Sequence, residues 1–103
     1  MKYRFHPEAE SEFNDSLAYY DSIKENLGKE FAEEVYSTIQ RILQYPNAWT
    51  KITKGCKRCL TKRFPFGVIY SIKEDCIFII AVMPLSRKPG YWENRLKSGH
   101  FDA

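Results

Sequence analysis

The sequence predicts an α+β domain in which an N-terminal strand and a helical hairpin pack on a mainly antiparallel sheet, in the order β-α-α-β-β-β. Two observations predict this fold: apolar residues recur at helical spacing through the first half of the chain, and strand-forming residues with short turns follow from residue 56 onward. The length of 103 residues, 44% of them hydrophobic, suits one compact domain. A hairpin that covers one sheet face allows a domain of this size to bury a core.

The first half of the chain carries a short strand and two amphipathic helices. Residues 2–5 alternate in polarity and predict a strand. A first helix is predicted from residues 8–23, because Pro7 suits a helix start and apolar side chains follow at helical spacing. A second helix is predicted over residues 27–45, ending before Pro46. The two apolar stripes consist of Ala9, Phe13, Leu17, Tyr20, Leu27, Phe31, Val35, Ile39 and Ile42.

The second half predicts three consecutive strands after a loop at residues 47–50. They are residues 56–64, 68–73 and 76–83, separated by a Pro-Phe-Gly turn and a Glu-Asp turn. The third segment, CIFIIAVM, is apolar at almost every position, which is typical of an interior strand covered on both faces.

The chain is expected to form one domain over residues 1–95, followed by a tail, residues 96–103, that includes His100. The N-terminal segment lacks the apolar core of a secretory signal, and the longest apolar run is far below the ~20 residues of a membrane helix. The sequence therefore predicts a soluble cytoplasmic protein.

Charge is distributed unevenly along the chain. Residues 1–50 contain nine acids and five bases, a net charge of −4, whereas residues 51–103 contain four acids and eleven bases, a net charge of +7. This asymmetry indicates that the second half meets an anionic partner.

The three cysteines predict neither a disulfide framework nor a metal site. Cys56 and Cys59 have the C-x-x-C spacing, but a structural zinc site needs four ligands, and Cys76, His6 and His100 lie far away in the sequence. We expect reduced, half-buried strand thiols, although the spacing alone leaves open whether Cys56 and Cys59 can bridge. No motif implies a cofactor.

Two basic segments are candidates for a binding surface. The first lies within thirteen residues without an acid, and the strand predicted over 56–64 has no cleanly apolar face, which indicates an edge position or a bulge. Its charges serve either to prevent sheet aggregation or to bind phosphates or an acidic protein segment. Its cations are Lys51, Lys54, Lys57, Arg58, Lys62 and Arg63.

The second segment, SRKPGYWENR, follows the interior strand where that strand reaches solvent. Arg87, Lys88 and Tyr91 bring a guanidinium, an ammonium and a phenol together, a combination suited to holding a phosphate or stacking a base. Trp92 is predicted to close the core, and residues 91–95 to form a short helix or turn.

The sequence resembles the RelE/ParE superfamily, the toxins of bacterial type II toxin-antitoxin modules, over nearly its whole length. The resemblance is carried by AYYDSIKENLGKEFAEEV, CLTKRFPFGVIYSI and IIAVMPLSRKPGYWENR. The matching positions are Phe64, Pro65, Phe66, Tyr70, Val82, Arg87, Lys88, Pro89, Tyr91 and Trp92. One departure stands out, because Pro84 occupies the place where similar proteins usually carry a histidine.

The resemblance implies one of two toxin activities. RelE-like members cut messenger RNA on the ribosome, which requires a base, cations that stabilise the phosphorane and an acid for the leaving oxygen. Here Arg63, Arg87 and Tyr91 would be the catalytic residues, with no histidine in the matching stretch. ParE-like members poison DNA gyrase by binding, and the lack of an evident base favours this activity. Arg58, Lys62, Arg63, Arg87, Lys88 and Tyr91 are then predicted to bind the target.

The resemblance also implies a cognate antitoxin, acidic and partly disordered, that folds over the basic edge of the sheet and the hairpin. A third hypothesis is a nontoxic module that uses the basic surface to bind RNA or an acidic protein. No membrane or small-molecule partner is expected.

Overall fold

The computed structural model describes residues 1–53 and 55–98, so the predictions that concern Lys54, His100 and the rest of residues 99–103 lie outside the described residues. Its elements are β1 (Lys2–Phe5), α1 (Pro7–Ile23), α2 (Leu27–Gln44), β2 (Thr50–Thr53), β3 (Cys56–Leu60), β4 (Phe66–Lys73), β5 (Cys76–Pro84) and α3 (Glu93–Ser98). The predicted α+β class, with a strand and a helical hairpin ahead of a mostly antiparallel sheet, is confirmed.

The helical hairpin is fixed by local interactions at both ends of α1. His6 caps α1, because its Nδ1 accepts a hydrogen bond from the amide of Glu8 at 3.1 Å. Asn26, with a φ of 67°, turns the chain into α2. The amide of Gly28 then donates to Asp21 Oδ1 at 2.8 Å. This contact ties the start of α2 to the last turn of α1, so the two helices run as neighbours.

The sheet has five strands in the order β1-β5-β4-β3-β2. All neighbours are antiparallel except β1 and β5, which run parallel with Tyr3 opposite Ile77. The predicted interior position of β5 is confirmed, because β1 and β4 flank it. The register of β4 and β5 shifts between Ile69 and Tyr70, where β5 contains an extra residue.

Two predictions about the basic segment were wrong. The sequence predicted a loop at residues 47–50 and no strand between there and residue 56, but Thr50–Thr53 forms β2 at the edge of the sheet, so β3 is an inner strand. The predicted strand over 56–64 ends at Leu60, because the Thr61 hydroxyl donates to the carbonyl of Phe64 and folds the chain into a turn. Lys62 and Arg63 therefore lie in this turn instead of on a strand.

The two faces of the sheet are covered by different parts of the chain. The hairpin packs Phe13, Phe31 and other apolar residues onto one face, where Val68 and Ile79 are fully buried. On the other face, Trp92 is fully buried in a cluster with Cys56, Ile69, Ile80, Ala81 and Met83. The predicted core position of Trp92 is thus confirmed.

No helix in the described part of the chain is both long and apolar enough to cross a membrane.

Candidate functional site

The candidate site lies where the chain leaves β5 and returns across the sheet. After Pro84, residues 85–90 form an exposed turn in which Gly90 has a φ of 102°. The chain then enters the second face through Trp92. The buried indole of Trp92 packs edge-on against the Tyr91 ring, with the ring centroids 5.3 Å apart. This contact holds the phenol against the end of the sheet.

Arg87 is stacked on this phenol. Its guanidinium carbon lies 3.5 Å from the centroid of the Tyr91 ring, and its Nη1 lies 3.7 Å from Glu12 Oε2. The side chain nevertheless remains 54% exposed. Lys88 beside it is also exposed. The result is a guanidinium held in place by an aromatic ring and a weak ion pair, with donor groups still accessible to an anion.

Glu12 is held mainly by a second arginine. Arg95 donates from Nη1 to Glu12 Oε1 at 2.9 Å and from Nη2 to Oε2 at 3.0 Å, a bidentate pair. Glu12 Oε1 also accepts the amide of Val82 at 3.0 Å, and Arg95 Nη1 donates to the carbonyl of Ile80 at 2.9 Å. This network joins α1, β5 and α3, and it pairs Glu12 more closely with Arg95 than with Arg87.

The Tyr91 hydroxyl is unsuited to act as a base. Burial raises the pKa of Tyr91 well above its usual value of 10, the nearby Glu12 carboxylate raises it further, and the opposing influence of Arg95 and Arg87 is smaller. The hydroxyl is buried and has no partner in hydrogen-bond geometry among the described residues. The cations therefore do not bring this phenol into the range of a base at neutral pH.

The other predicted site residues lie in two separate places. Arg63 pairs with Glu30 of α2 at 2.9 Å, and the amides of Lys62 and Arg63 both donate to Glu34 Oε1. Arg58 lies on the second sheet face, where its side chain packs over Gly67 so closely that a Cβ there would be 2.9 Å from Arg58 Cδ.

The structure therefore brings Arg87, Lys88 and Tyr91 together, and it gives Lys62, Arg63 and Arg58 other neighbours. Glu12 and Arg95 belong to the site but were missed by the sequence analysis. The available signal was weak, since Glu8 and Glu12 lie one helical turn apart beside the buried Ala9 and Phe13.

An apolar groove of about 370 Å³ adjoins the site. It runs between α1 and the turns at the ends of β3 and β5, and it includes Ser86, the residue before Arg87. Its apolar walls are Tyr19, Tyr20, Pro65, Phe66 and Pro84, with Asp15 and Ser16 at its polar side. Pro84 therefore supplies a wall of this groove and no titratable group.

The cysteine pair has no part in the site. The expectation of half-buried thiols was wrong for this pair, because Cys56 and Cys59 are fully buried in the cores of opposite sheet faces. Residues three apart in a strand have Cα atoms about 10 Å apart, beyond the reach of a disulfide. Burial also raises the pKa of both thiols, which keeps them protonated. The described residues include no cluster of three or more His, Cys, Asp or Glu side chains that could hold a metal ion.

No protein-family model and no curated protein matches the sequence. A search of solved structures, by contrast, finds a chain described as the chromosomal ParDE TA system from P. aeruginosa, with a TM-score of 0.72. The fold resembles that of a ParDE toxin-antitoxin chain. The match covers 82% of this chain and 95% of the other, at 15% sequence identity. At that identity the similarity shows the fold alone.

Proposed function

We propose that this protein is the toxin of a bacterial type II toxin-antitoxin module, of the ParE-like kind, which acts in the cytoplasm by binding DNA gyrase and is neutralised by a cognate antitoxin. The similarity of fold to a ParDE chain supports the class of protein. The lack of an evident general base, with the pKa of Tyr91 raised by burial, favours the ParE-like over the RelE-like kind.

The observation that carries the proposal is the stacked, accessible Arg87 beside Lys88. This arrangement offers guanidinium and ammonium donors to an acidic surface, next to an apolar groove that can accept a side chain of the target. These groups favour a role in binding over one in proton transfer.

The RelE-like nuclease hypothesis has less support from the same site. The raised pKa of Tyr91 opposes a role as base, and the Glu12 carboxylate is held by Arg95. His6 uses its Nδ1 to cap α1. Arg63, which the nuclease hypothesis assigns to the phosphorane, is paired with Glu30 instead.

The experiment is a pulse-labelling measurement after induction of the chain alone in a bacterium, following thymidine and amino-acid incorporation over the first minutes. We expect DNA synthesis to fall first. An earlier fall in protein synthesis, with new messenger RNA ends at codon boundaries, would establish the nuclease instead. If neither falls, the nontoxic interaction module becomes the better hypothesis.

Two variants locate the responsible surface in the same assay. Arg87→Ala is expected to relieve the arrest, whereas Lys51→Ala, on the far edge of the sheet, is expected to leave it intact. Arg63→Ala separates the hypotheses, because it matters if the nuclease needs both arginines and has little effect if binding centres on Arg87. Full growth arrest by the Arg87→Ala variant would refute this site.

Co-expression of an acidic partner encoded beside the gene tests the antitoxin, which is expected to rescue growth.

A further inference from the structure

The sheet face opposite the helical hairpin has a buried part and a part that forms a groove. Around Ile69 and Ile80, this face is buried with Trp92 in the second core cluster. Toward the turn between β4 and β5, the same face carries a groove of about 420 Å³. Phe78 lies where the two parts meet, because its ring packs against the buried cluster, lines the groove and remains part-exposed.

The register of the strands places three cations around this ring. Lys2 of β1 and Lys73 of β4 lie on either side of Cys76 of β5, and Arg4 lies beside Phe78 in the next row. Residues two strands apart in a sheet are separated by about 10 Å, a distance that the long basic side chains can span. Because β1 is an edge strand, Lys2 and Arg4 also border the groove on the hairpin side.

The three cations of this groove have no ion-pair partner within residues 1–53 and 55–98. The ion pairs identified there involve Arg63, Arg87 and Arg95. Glu74 and Asp75 border the groove from the β4-β5 turn, but they form no ion pair with its cations. Neighbouring cations repel one another, so an anion that binds between them is favoured.

The class of anion follows from the groups that the face presents. The backbone of β5 pairs with β1 and β4 on its two sides, so a peptide strand cannot add at this position. Recognition therefore depends on side chains alone, which are the basic groups and the ring of Phe78. Single-stranded nucleic acid uses both, because its phosphates bind cations and its bases stack on aromatic rings. An acidic peptide would use the charges only.

We propose that this face binds single-stranded nucleic acid, with a base stacked on Phe78 and phosphates held by Lys2, Arg4 and Lys73. The surface contains no residue of the Arg87 site and none of the two basic segments that the sequence analysis singled out. Binding here does not depend on the target of the toxin, so the proposal stands or falls separately from the proposed function.

The test is a titration of fluorescently labelled oligouridylate with the purified full chain, followed by anisotropy at several salt concentrations. Each phosphate contact to a single strand contributes about −0.7 to the slope of log binding constant against log salt concentration, so three contacts predict a slope of about −2. Lys2→Ala/Lys73→Ala is expected to reduce this slope to about −0.7. Phe78→Leu keeps an apolar side chain and is expected to weaken binding at least about fivefold, whereas Phe78→Tyr retains binding.

Two control variants separate this surface from the other cations of the molecule. Lys51→Ala/Lys57→Ala makes the same change in net charge on β2 and β3, and it is expected to leave both affinity and slope unchanged. Arg87→Ala is likewise expected to bind as the wild type does. Loss of oligonucleotide binding in either control would place the nucleic acid elsewhere and refute the proposal.

Three further results would also refute the proposal. The first is a wild-type chain that does not bind the oligonucleotide. The second is a Phe78→Leu variant that binds as tightly as the wild type. The third is displacement of the oligonucleotide by a lower concentration of a glutamate-rich peptide, which would assign the groove to an acidic protein.

Discussion

At the level of single residues, two arginines near one carboxylate have different roles because they differ in exposure. The side chain of Arg95 is 8% exposed and forms a bidentate ion pair with Glu12, so its charge is paired within the molecule. The side chain of Arg87 is 54% exposed and lies 3.7 Å from the same carboxylate. A weak surface pair costs little to break, so Arg87 can exchange Glu12 for an acidic group of a partner.

Removing the charge of Glu12 tests this division of roles. Glu12→Gln removes the carboxylate that forms the bidentate pair with the buried guanidinium of Arg95, and we expect a loss of about 3 kcal/mol in the free energy of unfolding, measured by urea denaturation. Glu8→Gln is the matched control, because Glu8 is 66% exposed and 3.8 Å from Arg95 Nε. It should cost less than about 0.5 kcal/mol. Equal losses for the two variants would show that Glu12 contributes no more to stability than Glu8 does.

At the level of elements, the sequence predicted the helices and β5 well because their apolar periods are long and uninterrupted. The second helix, predicted over 27–45, is observed as Leu27–Gln44, and the interior strand predicted over 76–83 is observed as Cys76–Pro84. The edge strand β2 was missed because TKIT is short and half polar, and its pairing with β3 depends on contacts across a turn. The end of β3 was missed for a similar reason, since side-chain bonds of Thr61 end the strand.

The candidate site could be predicted only in part. Arg87, Lys88 and Tyr91 are neighbours in sequence, so the sequence could group them. The pairing of Glu12 with Arg95 joins residues 83 positions apart and follows from the return of the chain across the second face. No local sequence pattern predicts a contact between residues so far apart in the chain.

The hairpin turn offers a prediction about how α1 and α2 are joined. A Cβ at Gly28 would lie 2.6 Å from both the Asp21 carboxylate and the carbonyl of Leu17. The carboxylate can move, but the backbone carbonyl cannot, so Gly28→Ala must push the helices apart. We expect a loss of about 1–3 kcal/mol in the free energy of unfolding, measured by urea denaturation.

The neighbouring Lys29→Ala serves as control, because Lys29 is exposed and the substitution introduces the same side chain into the same helical turn. It should change stability by less than about 0.5 kcal/mol. If Gly28→Ala lowers the free energy of unfolding no more than this control does, the close approach of the two helices at Gly28 does not exclude a larger side chain there.

At the level of the whole molecule, the opposite charges of the two halves are partly satisfied within the chain. The four ion pairs identified among the described residues each join an acid of α1 or α2 to an arginine of the second half. Acids of the first half therefore bind some of the cations for which an anionic partner was predicted. Cations outside these pairs, such as Lys88 on the turn after β5, are exposed at the surface.

The stability of the molecule should decrease in strongly alkaline solution. Burial raises the pKa of Tyr70, whose hydroxyl donates to the carbonyl of Pro46 at 2.6 Å, and burial together with Glu12 raises the pKa of Tyr91. Both phenols ionise near pH 10 once the chain unfolds, so above about pH 10 the unfolded state binds fewer protons than the folded state. Their contribution to stability is complete below that pH and is lost as the pH rises toward the raised folded values.

Urea denaturation between pH 8 and about pH 11 measures this loss, and Tyr91→Phe identifies its source. Because the Tyr91 hydroxyl has no partner in hydrogen-bond geometry among the described residues, Tyr91→Phe should change stability little at pH 7 and should flatten the decline above pH 10. The exposed Tyr45 is the control, since Tyr45→Phe should leave the slope unchanged. The same decline in all three proteins would mean that the Tyr91 phenol ionises as readily in the folded chain as in the unfolded one, contrary to its buried position against Glu12.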